Sequence, residues 1–177
     1  AKSATGFSKN PVYNLKKCTN YSISKSNEGR IKEMIQEDTI KLLRECNAGI
    51  KMGVDSIDEI LDETTDRMLI KMLRETMDEH KRLGSETHRL LNRYGDEGKD
   101  PNPLAKSMSW IKTNVMMAVD AGDNTIADLI TDGCNMGVKS LSRYLNKYEA
   151  ADEESKNIAK QLIACEAGLA EGLRAYL

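Results

Sequence analysis

Aromatic residues make up only 5% of this 177-residue chain, and proline occurs three times. So few aromatics argue against a sheet, whose strands draw on aromatic and β-branched side chains. Nine methionines point instead to helices packed through aliphatic and thioether groups, an all-α fold. No apolar run approaches the roughly 20 residues needed to cross a bilayer, and no continuous apolar segment of the signal-peptide kind opens the chain. A cytoplasmic protein without membrane association is therefore expected. G-x-S-x-G, a P-loop, a dinucleotide fingerprint and H-E-x-x-H are all missing, so the sequence names no catalytic residue. The four cysteines could form two disulfides. Three of them fall at core-facing helix positions in a chain long enough to fold without staples, which favours reduced thiols.

The net charge of −2 conceals an asymmetry. Residues 1–30 hold Lys2, Lys9, Lys16, Lys17, Lys25 and Arg30 against Glu28 alone, leaving the remainder acidic. This stretch is rich in Ser, Asn and Lys without a helical period, which predicts an extended N-terminal arm. Its scattered apolar residues suit a strap laid over the acidic surface of a neighbouring copy, with Phe7, Tyr13, Lys16, Lys17 and Tyr21 as contacts and a homo-oligomer as the result. A solvated tail that touches nothing is the other reading. Nucleic acid is not an expected partner, because the acidic remainder would repel phosphates.

From Ile31 onward the apolar residues recur at steps of three and four. A first helix over about 31–62 places Ile35, Thr39, Leu42, Cys46, Gly49, Gly53, Ile57 and Ile60 on one stripe, and DETTD ends it. A second, about 66–94, carries Leu69, Leu73, Thr76, His80, Leu83, Thr87, Leu90 and Tyr94 and stops at Gly95. GDEGKDPNP is the strongest breaker signal, and a shorter amphipathic segment over about 104–120 follows it. A third helix, about 124–148, presents Ile130, Cys134, Gly137, Leu141, Tyr144 and Tyr148. A fourth, about 152–177, presents Ile158, Leu162, Cys165, Leu169, Gly172 and Tyr176.

Short turns within each pair and a long connection over about 95–123 predict two antiparallel hairpins joined by a crossover that contains a short helix. This is the connectivity of the ferritin-like four-helix bundle, here over residues 31–177. The stretches LLRECNAGIKMG and AGDNTIADLITDGCNMGVKSLSRYL resemble a ferritin-like family of bacterial proteins of unknown function. That resemblance implies the fold and says very little of activity.

A carboxylate di-iron centre would need Glu-x-x-His pairs on two of the helices. None is present: His80 sits in DEH and His88 in ETH, so a di-iron site is not expected. Counted along the helices, Cys46, His80, Cys134 and Cys165 fall at one level, one per helix, which is the composition of a Cys3His site for a soft or borderline ion such as zinc or copper. The same residues also read as ordinary core positions, since buried cysteine behaves as a small hydrophobe. Three G-x-x-x-G pairs, Gly49 and Gly53, Gly133 and Gly137, Gly168 and Gly172, each sacrifice helix propensity of up to about 1 kcal/mol per glycine. Something must offset that loss, either close backbone approach between helices or a groove with room for a planar cofactor. The expected function is accordingly self-association or partner binding, with storage, sensing or redox buffering around a cysteine-rich core as the alternative.

Overall fold

The computed structural model describes the backbone of residues 12–96 and 122–177, and the side chains of residues 27–96 and 122–177. Among the described residues there are four α-helices, one short 3-10 turn and no strand: α1 (Val12–Leu61), α2 (Arg67–Arg93), α3 (Asp123–Lys147), α4 (Glu153–Leu173) and the turn Arg174–Tyr176. The chain divides into two units, Ala1–Met34 and Ile35–Leu177, and the second holds the helical bundle. No helix of the described residues is long and apolar enough to cross a membrane.

The last three helices begin and end close to where the sequence pattern places them, and the ends have local causes. Asp66 caps α2 by accepting the amides of Met68 and Leu69, both at 2.9 Å. At its other end Gly95 takes φ +66, which lets its amide reach the Asn92 carbonyl and the Asp96 amide the Leu91 carbonyl, both at 3.1 Å. This is the paired-bond helix stop that favours glycine. Asp152 caps α4 through the Ser155 amide at 2.8 Å.

The first helix differs from expectation. It is continuous from Val12, so backbone that was expected to lack a helical period, from Val12 to Arg30, is helical. Of the contacts proposed for the arm, Phe7 lies outside the described residues, as do the side chains of Tyr13, Lys16, Lys17 and Tyr21. The proposed short helix over about 104–120 also lies outside them.

Within the bundle, side-chain contacts fix the directions of the helices. Ile50 of α1 faces Gly84 of α2, and Gly53 faces His80, so these two helices are antiparallel. Gly172 faces Met72, and Arg82 reaches Gln161 at 2.8 Å, so α2 and α4 are antiparallel too. At one end the Asp123 carboxylate accepts the Thr65 amide and hydroxyl and the Asp66 amide, at 2.7–2.8 Å. At the other end the Tyr94 hydroxyl donates to Asp152 at 2.9 Å, the Asp152 amide to the Thr39 hydroxyl at 2.9 Å and the Ala150 amide to Asp38 at 3.1 Å. Asp96, paired with Arg44, thus lies at the opposite end from Asp123, the first residue of α3.

Two apolar clusters fill the interior. One gathers Leu42, Leu43, Cys46, Leu83, Leu90, Leu141, Ile158 and Leu162, and the other Ile57, Ile60, Leu69, Leu73, Ile130, Cys134, Leu169 and Leu173. His80, only 1% exposed, stands on α2 between the stretches that supply them.

Candidate functional site

Between α1 and α3 the bundle has a groove of about 550 Å³. Its walls are the glycine-bearing faces of the two helices, with Gly49 and Gly53 on α1 and Gly133 and Gly137 on α3, while His80 and Glu166 reach it from α2 and α4. The glycines divide by role. A Cβ on Gly53 would stand 2.9 Å from the His80 ring, and one on Gly137 would stand 3.3 Å from the Glu166 carboxyl carbon. These two positions make room for a buried polar pair. A Cβ on Gly49 or Gly133 would meet nothing within 4 Å, so there the helix backbone is bare to the groove. On α4, Gly168 likewise has open space, and a Cβ on Gly172 would meet the Met72 sulfur at 2.9 Å. At Gly53, Gly137 and Gly172 the atoms nearest the built Cβ belong to side chains, so these three positions make room for neighbouring side chains.

The polar pair is built from contacts on opposite sides of one ring. His80 Nδ1 lies 2.9 Å from the Thr76 carbonyl oxygen, one helical turn back, and Nε2 lies 2.9 Å from Glu166 Oε1. With an oxygen acceptor at each nitrogen, the form that satisfies both is the imidazolium, donating at each. Burial opposes charge on His80, but hydrogen bonds with Cys165 and Glu166 and the Glu166 carboxylate outweigh it and push the imidazole pKa up to about 10. Burial, reinforced by the adjacent Glu166 carboxylate, drives the Cys134 thiol upward as well. A thiol so biased toward its protonated form is a poor nucleophile.

The four residues expected to bind one ion are not assembled. Cys165 Sγ lies 3.8 Å from His80 Nδ1 and Cys134 lines the groove with His80 and Glu166, but Cys46 belongs to the other apolar cluster. The register of the first hairpin explains this: Gly53 faces His80, and Cys46 is two helical turns back, about 10 Å along the axis. Counting from a helix start near Ile31 brought Cys46 level with His80, whereas α1 starts at Val12. Burial pushes the Cys46 thiol up to about 12, as suits a core residue. Among the described residues no group of three or more His, Cys, Asp or Glu side chains could hold a metal ion. The three described cysteines are free thiols. A planar metallo-cofactor ligated by His80 would have to break one of the ring's two hydrogen bonds.

Glu166 stands one position off the apolar stripe of α4, where periodicity does not single it out. Its long side chain swings across to His80 all the same, and the notch at Gly137 was the available signal. Glu45 is likewise one position off the stripe of α1, and it lines the groove together with Tyr144.

Taken together, these features define an all-helical bundle with a lateral groove and a buried ion pair at its base. No family model and no curated protein matches the chain. Among solved structures, its fold is similar to that of the DUF305 fragment from Deinococcus radiodurans, with a TM-score of 0.62 over 78% of this chain and 93% of that one. The two are 11% identical in sequence, so the likeness carries the helical-bundle fold and nothing of function.

Proposed function

We propose that the chain is a ferritin-like bundle, two hairpins joined by a crossover over about residues 95–123, that binds a small and mostly apolar molecule in the groove between α1 and α3. The observation that carries this is the bare backbone at Gly49 and Gly133, on the two facing walls. Glycine there weakens both helices without admitting any neighbour, and a bound molecule would offset the loss. The groove's volume of about 550 Å³ falls within the range usual for small-molecule sites, and its lining is mostly apolar. Free thiols at all three described cysteines suit a reducing, cytoplasmic setting.

Acridine, flat, apolar and neutral at about pH 8, is a suitable first probe. Saturable binding is expected by equilibrium dialysis, together with a melting temperature that rises with probe concentration. Gly133→Leu, which has space for its side chain only in the groove, should remove the binding and leave the protein folded. Failure of the folded wild-type protein to take up any flat apolar probe would sink the proposal.

A second reading, self-association, has its own support. Ile31 and Met34, both in the unit Ala1–Met34, are each 52% exposed and share one face of α1 through their spacing. We propose that this face, with the basic residues 1–30, meets a second copy of the chain. Light scattering of the full chain should give a multiple of the monomer mass, and Ile31→Glu with Met34→Glu should return it to the monomer. An unchanged mass in that variant would remove this face from consideration.

A further inference from the structure

We infer that the molecule held in the groove is an apolar amine, or another apolar molecule bearing one positive charge. This rests on the groove reading above and adds the ligand's charge to it. Three carboxylates, Glu45, Asp132 and Glu166, are among the residues that line the cavity, and no described lysine or arginine lines it. The one cationic lining group is His80, and its Nε2 is already given to Glu166. With that pair neutralised, the half-buried Glu45 and the exposed Asp132 leave the cavity lining negative.

One group on α3 responds to that charge. The Tyr144 hydroxyl, raised by burial and then by Glu45, is held toward its protonated form. Arg143, outside the lining, acts against Glu45 at Tyr144 without reversing the direction. Tyr144 also offers a cation an aromatic face: it stacks on Tyr148 with ring centroids 6.2 Å apart and lines the cavity beside Glu45. An anion placed here would face the Glu45 and Asp132 carboxylates, and a neutral molecule would leave them as they are. A cation alone gains from them.

Three molecules on one ring system separate charge from shape: 9-aminoacridine as the cation, acridine as the neutral form and acridine-9-carboxylate as the anion. Each is titrated into the full chain at about pH 8 and low salt. The cation should bind about tenfold or more tighter than acridine, the anion more weakly than either, and the cation's advantage should shrink as salt rises. Glu45→Gln with Asp132→Asn should bring the ratio of cation to neutral affinity towards one. Gly133→Leu should remove binding of all three. Equal affinities, or a preference for the anion, would overturn the charge assignment and leave the groove reading standing. Cation binding that survives Gly133→Leu would place it on the acidic surface and also overturn the inference. If none of the three binds the folded protein, the groove reading fails and this inference fails with it.

Discussion

Replacing His80 by leucine is expected to destabilise the bundle by about 3 kcal/mol, the lower end of what removing one partner of a buried ion pair costs. The lower end applies because the Glu166 side chain keeps 15% exposure on the groove side, whereas His80 keeps 2%. Leucine leaves the Glu166 carboxylate without its donor and frees the Thr76 carbonyl. The double change His80→Leu with Glu166→Leu should recover most of the loss, since an apolar pair can replace a buried ion pair at little expense. Urea denaturation of the two single variants and the double gives the coupling. Additive losses would mean that the two side chains do not act as a pair.

The same pair sets a pH dependence whose sign follows from linkage. With a folded pKa of about 10 against an ordinary 6.5, the folded state retains a proton that the unfolded chain releases between those values. The stabilisation is complete below about pH 6.5 and is lost as pH rises through about 10, by at most about 1.4 kcal/mol per pH unit. Burial holds the Cys46 thiol up to about 12 and drives the Cys134 thiol upward too, so both add a loss in the same direction as pH rises through the ordinary thiol value of about 8.5. Between about pH 6.5 and 8 the slope belongs to His80 and should be flat in the double variant.

Gly53→Ala should be the most damaging of the small changes in the groove, at about 1–3 kcal/mol, through overpacking. Its Cβ would stand 2.9 Å from both Nε2 and Cδ2 of His80, and the ring cannot yield without giving up the bonds that fix it on both sides. Gly49→Ala, one turn earlier on the same helix, meets nothing and should gain up to about 1 kcal/mol from helix propensity. Opposite signs at two glycines four residues apart would be read in thermal melts of the two variants. Equal effects would show that the His80 ring does not occupy the notch.

Much of the fold is legible in the sequence because stripes at steps of three and four record burial directly. Leu69, Leu73, His80, Leu83, Thr87 and Leu90 are all buried as their spacing predicts. Buried residues such as Leu43, Leu91, Ala127 and Ala159 show that the packed faces are wider than one stripe, as a helix touching two neighbours requires. Ile35 fails in the other direction: it lies on the stripe and is exposed. The site was only half visible. Periodicity found His80 and the glycines but could not find the Glu166 contact, because a side chain of that length crosses the angle that one residue of helix introduces. Nor could periodicity choose between close packing and an open groove, since both demand a missing side chain at the same positions.

The hydrogen bonds at the two ends of the bundle bear on how the chain folds. Asp123, in the first turn of α3, satisfies amides that precede α2, and Thr39 and Asp38 of α1 satisfy amides in the turn between α3 and α4. Each hairpin therefore completes the other's turn. A fragment carrying only α1 and α2, or only α3 and α4, would have open donors at one end as well as an uncovered apolar face. Secondary structure and hairpin docking should accordingly be gained in a single cooperative step, even though the interior is divided between two apolar clusters.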